Sequence, residues 1–346
     1  MASPDSETNS NDVAYTPPMM TDDEKRQAYR RLFRPTKIVE TKTAQKAKEE
    51  LQETEGKRTE ALKELRKLCL EENQSDEGKK ICDAFLNKDD TFLLRFLRCK
   101  KFDVKRAYNQ MTAYLLFREK HKDVTSKLHL SSLRFAISKG FPVILPNRDK
   151  EGRVWLLFDV GSWDHTEIPF PELMASLLYV IETLIENEET QVNGFVLLET
   201  YERYHIDQAL AMKPADVKTM IDLLQGSFPG RFKVFNIIRQ PWYFSTFWTL
   251  AKPFLSSKMT SRIMVHGSDL SKLYEQMEPE WLPTEFGGTS ETFNTNIMLE
   301  ELQLVAVEKG ETINSENVTG ETILEGLPNS VDDLNSAANN IESTDM

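Results

Sequence analysis

Apolar positions recur at helical spacing through Leu51, Ala61, Leu62, Leu65, Leu68 and Cys69, in a stretch from Thr41 to Glu72 otherwise built mainly of Ala, Lys and Glu. That spacing predicts an exposed helix with one buried edge. Asp89 and Asp90 stand just before Phe92, Leu93, Leu94, Phe96 and Leu97, where a carboxylate accepts from free first-turn amides, so a short helix starts there. Val104 to Lys120 continues as another. From about Phe141 the texture changes. Arg153 to Phe158, Gly194 to Leu198 and Phe232 to Ile238 read as short buried strands, with helices over 171–186 and 213–225 between them. Strand and helix alternate without hairpin signals, which predicts right-handed crossovers and a mainly parallel sheet. The expected fold class is α/β: a helical N-terminal lobe, then an α/β domain closed by Phe286-Gly287-Gly288.

The flanks differ in composition. Residues 1–35 are rich in Ser, Asp, Asn and Pro and are expected to form a disordered acidic arm. The lobe is placed at 36–135, the α/β domain at 136–289, and an acidic, mostly disordered tail with one helix-like stretch (296–307) at 290–346. In 346 residues, 40% hydrophobic content is enough for a real core. A net charge of -12 taken whole argues against nucleic acid or an acidic membrane as partner. Its distribution changes that reading. Residues 290–346 hold 12 acids and one base, and residues 1–23 hold five acids and no base, leaving 42 bases and 38 acids between Glu24 and Thr289.

Catalytic patterns are missing. There is no G-x-x-x-x-G-K-[ST], no G-x-G-x-x-G after the first strand and no G-x-S-x-G. His121, His129, His165, His205 and His266 lack i, i+4 pairing with a carboxylate, and Cys69, Cys82 and Cys99 lack C-x-x-C spacing, so neither a metal nor a disulfide framework is expected. An enzyme is not expected. The N-terminus has no basic and apolar leader, and no run of eighteen apolar residues occurs; a reducing, cytosolic setting is expected.

The most unusual stretch is Leu223 to Ser268, with six bases (Arg231, Lys233, Arg239, Lys252, Lys258, Arg262), nine aromatics and no acid in 46 positions. Its middle carries Trp242, Phe244, Phe247 and Trp248, too short a segment to span a bilayer but suited to its headgroup boundary. The same residues suit a helical gate over a cavity for an oily ligand. Glu199 ends the strand begun by Phe195, at the sheet edge where α/β proteins bind ligands. Facing an apolar cavity, its carboxyl would be a single polar anchor held toward the neutral form.

These residues carry a resemblance. Asp90-Thr-Phe-Leu-Leu-Arg-Phe-Leu-Arg98 with Lys101-Phe-Asp-Val104, Gly152-Arg153, Asn193-Gly194-Phe195, Gln225-Gly-Ser-Phe-Pro229 and Phe286-Gly-Gly288 together resemble the CRAL-TRIO (Sec14-like) lipid-transfer family from about Asp89 to Thr289. Leu184 to Gln191, Arg239 to Phe244, Lys252 to Leu255 and Val265 to Leu270 are most similar to its retinaldehyde-binding branch. The resemblance implies a carrier, not an enzyme, with one hydrophobic ligand in a cavity roofed by a mobile helix. The expected ligand is 11-cis-retinal or a related retinoid, with no cofactor and no metal. The alternative is a phosphoinositide-binding lipid-transfer or trafficking protein of clavesin or tocopherol-transfer type. By the same resemblance, Phe158, Trp163, Leu177, Glu199, Gln208, Met220, Ile221, Phe235 and Ile237 line the pocket, and Trp242, Phe244, Phe247 and Trp248 form the gate. Arg98, Lys100, Lys101, Arg148 and Arg231 match the family's basic surface, and with Lys252, Lys258 and Arg262 are expected to bind acidic lipid. Three positions depart from the retinaldehyde-binding pattern: Leu177 stands for a tyrosine, Thr219 for a lysine and Arg239 for a histidine. Loss of the tyrosine hydroxyl at the polar end is worth about 1–3 kcal/mol. A monomer, cytoplasmic and peripherally bound to acidic membranes, with no nucleic-acid partner, completes the expectation.

Overall fold

The computed structural model describes residues 20–38 and 40–312, without the side chains of Thr246, Phe247 and Leu250. Five helices make the N-terminal lobe: Thr41–Leu51, Glu55–Glu71, Asp76–Phe85, Asp90–Cys99 and Val104–Lys120. Thr54, Ser75, Asp89 and Asp103 each accept from the amide three residues on, Asp89 from Phe92 at 2.8 Å. Their apolar edges meet around Leu65, Ile81, Phe85, Phe96, Leu97 and Met111.

The single helix expected over 41–72 is broken in two. Gln52 adopts the left-handed backbone (φ 57°), and the next residue, Glu53, turns inward until its side chain is 2% exposed. There it accepts from Arg98 Nη2 at 2.7 Å and Nε at 3.0 Å. Arg98 is wholly buried; Nη2 also donates to Glu188 at 3.0 Å, and Nη1 donates to Gln191 at 2.7 Å. This corrects the placement of Arg98 on the lipid-binding face. It ties the lobe to helix Glu188–Asn193 of the α/β domain, because acids remote in sequence converge on it.

The α/β domain is a five-stranded sheet, β1 (Val143–Ile144), β2 (Val154–Asp159), β3 (Phe195–Thr200), β4 (Phe232–Ile238) and β5 (Ile263–Gly267), in that spatial order. Only the β1–β2 pairing is antiparallel; the rest are parallel. Helices Phe170–Leu184 and Pro214–Asp222 make the crossovers expected between the three central strands. At the start of β3, Gly194 has φ 82°, and a Cβ there would lie 2.0 Å from the Arg231 carbonyl oxygen, so only glycine lets β3 begin this close to the β4 segment.

Both flanks differ from expectation. Residues 22–33, assigned above to the arm, form a helix opened by a reciprocal Thr21–Glu24 cap, with Ala28, Tyr29, Leu32 and Phe33 buried. Helix Asn296–Glu308, assigned to the tail, buries Met298, Leu302, Val305 and Ala306. The two pack together: Arg30 Nε meets Glu301 at 2.9 Å, Arg34 meets Glu308 at 2.6 Å, and Arg26 pairs with Glu300. Tyr29 also donates to the Ile144 carbonyl at 2.8 Å. Charged composition masked the apolar stripe of the first helix, whereas the helix expected over 296–307 is present and packs into the core with it. The rest of the expected arm and tail, 1–19 and 313–346, lies outside the described residues.

Replacing Arg98 with Ala removes the one buried base shared by Glu53 and Glu188, leaving them only the more exposed Arg58 and Lys37, and should cost about 3 kcal/mol. A urea midpoint equal to that of the parent would show that this cluster does not hold lobe and sheet together.

Candidate functional site

The parallel register sets Phe158 beside Glu199 and Glu199 beside Ile237, with Leu156, Leu197 and Phe235 one layer earlier. Alternate residues share a face. Phe158, Leu197, Glu199, Phe235 and Ile237 therefore border a common cavity, while Trp155, Leu157, Val196, Leu198 and Ile238 pack behind the sheet. The loop after β2 adds Trp163, helix Phe170–Leu184 adds Leu177, and helix Pro214–Asp222 adds Met220 and Ile221. Eight of the nine expected pocket residues are thus brought together. The ninth, Gln208, is not on the wall. Its amide donates to the carbonyls of Trp163 at 2.6 Å and Val160 at 3.2 Å, and so fixes the loop that carries them. Phe141, Tyr201, Met259 and Ile263 also line the cavity and were missed from the sequence.

The cavity encloses about 130 Å³, below the ~300–1,000 Å³ usual for ligand clefts. A lipid-sized molecule enters only by displacing wall. Helix Phe244–Ala251 supplies part of that wall through Trp248 and Ala251. It is held at its two ends. Phe244 meets Tyr201 edge-on at 4.9 Å, and the Tyr243 hydroxyl donates to the Tyr204 carbonyl. At the other end Ala251 packs on Val217 and Ile221, while Gln225 donates to the Phe254 carbonyl at 3.1 Å and accepts from the Ser256 amide at 2.8 Å. Of the expected gate residues, Phe244 and Trp248 face inward. Trp242 does not: it is 88% exposed. Phe247 belongs to the helix, but its side chain lies outside the described residues.

Glu199 borders the cavity and is half-buried. Burial raises its pKa, and the Tyr201 hydroxyl, donating to Oε2 at 2.9 Å, lowers it; burial wins. Tyr201 therefore supplies the hydroxyl whose loss was expected from Leu177. Two positions further along the same strand direction, it points to the same side as Glu199, and period-two reading of Glu199-Thr200-Tyr201 would have found it.

The basic residues divide. Arg148 donates to Thr190 at 2.8 Å and to the Gly152 carbonyl at 3.1 Å, and burial lowers its pKa to about 10. Arg231 donates to the Val192 carbonyl and pairs with Glu50 at 2.6 Å, and Arg262 donates to the Phe232 carbonyl. Arg148 is thus committed to interior partners, a correction to its placement as a lipid ligand, whereas Arg231 is covered by the partly exposed Glu50. Lys101, Lys252 and Lys258 are exposed and Lys100 is half-buried. Burial lowers the Lys258 pKa, and the charges of Arg262, Lys100 and Arg106 lower it further, which places these bases in one neighbourhood. Among the described residues no helix is long and apolar enough to cross a membrane, and no acid, histidine or cysteine cluster is arranged to hold a metal.

Fold and cavity define an α/β protein with a helical lobe and an apolar internal cavity. Residues 138–288 match the CRAL/TRIO domain and residues 61–113 the CRAL/TRIO N-terminal domain. Clavesin-1 of Rattus norvegicus is 36% identical over 249 residues, 71% of this chain and 68% of that protein. Clavesin-2 of Homo sapiens is 34% identical over 248 residues, 71% of this chain and 73% of that protein. The crystal structure of Sfh5 aligns with a TM-score of 0.41 and 15% identity over 63% of this chain and 82% of that one. The chain belongs to the CRAL/TRIO family. The relatives named are clavesins, which supports the family likeness without supporting the narrower retinaldehyde-binding one.

A carboxyl whose folded pKa lies above its ordinary 4.5 stabilises the fold most below that value and loses the contribution as pH rises through the elevated one. The urea midpoint should therefore fall as pH is raised from about 4.5, and Glu199→Gln should flatten that part of the curve. A parental slope in the variant would mean that Glu199 is solvated.

Proposed function

We propose that this chain is a non-catalytic carrier that encloses one hydrophobic ligand behind helix Phe244–Ala251 and exchanges it at membranes rich in acidic phosphoinositides, in the manner implied by the likeness to clavesins. One observation carries this reading: the gate of the apolar cavity is bordered outside by unburied large side chains. Trp242 is 88% exposed just before the gate helix, and Ile206 and Leu210 are 61% and 79% exposed on the neighbouring helix Ile206–Ala211. The two segments are joined, since Tyr204 stacks on Tyr243 at 6.3 Å and Ala209 packs into the same cluster. Three such side chains beside a door gain stabilisation when the door meets a lipid surface. Lys252, at the end of the gate helix, and the Lys258 neighbourhood supply charge for anionic headgroups. A cytoplasmic, peripherally attached location follows from this reading.

A second reading keeps the retinoid. It is favoured by Glu199, a carboxyl on the cavity wall that burial shifts toward its neutral, donating form while Oε2 accepts from Tyr201, so that a carbonyl oxygen in the cavity would find a polar partner there. Retinal added to the protein would then show a saturable shifted absorption band.

For the leading reading, Trp242→Ala combined with Leu210→Ala should weaken co-sedimentation with phosphoinositide-containing vesicles by about tenfold or more, as burial of two large apolar side chains predicts, while thermal stability holds. Parental binding by the double variant would move the membrane contact away from the gate.

A further inference from the structure

The acid-free stretch from Leu223 to Ser268 takes its counter-ion from another part of the chain. Glu50, near the end of helix Thr41–Leu51 in the helical lobe, places a single oxygen, Oε2, 2.6 Å from Arg231 Nη2 and 2.9 Å from Lys233 Nζ. The Glu50 side chain is 37% exposed, against 10% for Arg231 and 20% for Lys233. The carboxylate is thus the outermost of the three charges and covers the two bases. One acid does not balance the site. Burial and then the neighbouring Arg231 charge lower Lys233 to about 8 in spite of Glu50, whereas Glu50, pushed up by burial, is pulled down to about 2 by Lys233 and Arg231. Positive charge continues past the pair, since Arg262 is lowered by burial and then by Arg231.

A carboxylate seated between an arginine and a lysine is the arrangement those bases would offer to a phosphate. We infer that Glu50 is an internal stand-in for a lipid phosphate and sets a charge threshold for the headgroup. A phosphodiester lipid with a single net negative charge exchanges one unit charge for another and gains little by displacing Glu50. A phosphomonoester, with about -1.5 to -2 at neutral pH, gains the excess. Glu50 is therefore a specificity-determining residue that excludes ordinary anionic lipid and admits phosphorylated inositol lipid. This rests on the membrane reading proposed above. If Glu50 were merely a strut between the lobe and β4, its neutralisation would lower stability and leave lipid preference untouched.

The test is co-sedimentation of the full chain with phosphatidylcholine vesicles doped either with phosphatidylserine or, at equal total charge, with a phosphatidylinositol monophosphate. The parent should prefer the monophosphate vesicles. Glu50→Gln, which keeps an acceptor for Arg231 and Lys233, should raise affinity for phosphatidylserine vesicles by about tenfold, in the range of close charge-pair couplings, and shrink the preference. Glu49→Gln removes the same charge from the same helix at a residue bonded to Gln45 and should behave as the parent. If Glu50→Gln is poorly folded, Glu50→Asp retracts the charge by one methylene and should move phosphatidylserine affinity in the same direction. Unchanged preference in a folded Glu50 variant overturns the inference while leaving the membrane reading standing; failure of the parent to bind either acidic vesicle overturns both.

Discussion

A cavity lined by Phe158, Leu177, Met220, Phe235 and Ile237 leaves one face of the core unpacked, and the rest of the structure has to hold together around that gap. Side chains on such a wall forgo part of the dispersion contact that a filled core provides. The deficit is offset by ties placed away from the cavity. Behind the sheet, Trp155, Leu157, Val196 and Leu198 pack densely. The buried Arg98 cluster joins the helical lobe to the sheet's crossover helix, and the paired helices at 22–33 and 296–308 lie together, with Tyr29 bonded to β1. With stability concentrated there, a short helix held at its two ends can form the remaining wall.

The central strands and their crossovers were legible because each is a continuous apolar run bounded by turn residues, a signal that survives without tertiary context. β1 and β5 were not: one has two residues, and the other is an edge strand whose residues are half-buried or exposed, so neither shows a run. Pocket residues on strands and long helices were found because register and periodicity place them. Gln208 was misplaced because its amide serves three loop carbonyls, which depends on a turn the sequence does not specify. The helix over 22–33 was hidden because its apolar stripe is short and surrounded by charged residues, whereas the less charged stretch over 296–307 was legible as a helix but not as part of the core.

Charge read along the chain proved a poor guide to charge in space. The acid-free stretch is neutralised in part by Glu50 and by Glu202, which pairs with Arg239. Arg98 and Arg148, identified by family likeness as surface bases, are enclosed by partners far away in sequence. What survives of the basic face is the neighbourhood of Lys258 with Lys100 and Arg262, to which Arg106 is added from the helical lobe.

The pairing of the first and last described helices also bears on how the chain is made. Arg30 and Glu301 are separated by 271 positions, so the stripe of Ala28, Tyr29, Leu32 and Phe33 leaves the ribosome long before the surface that covers it. Nearly the whole domain is synthesised before residues 296–308 are available to cover that stripe. In a chain cut short by premature termination that stripe would keep its contacts with β1 and with helix Phe170–Leu184 but lose the cover of residues 296–308, exposing apolar surface that the finished product buries.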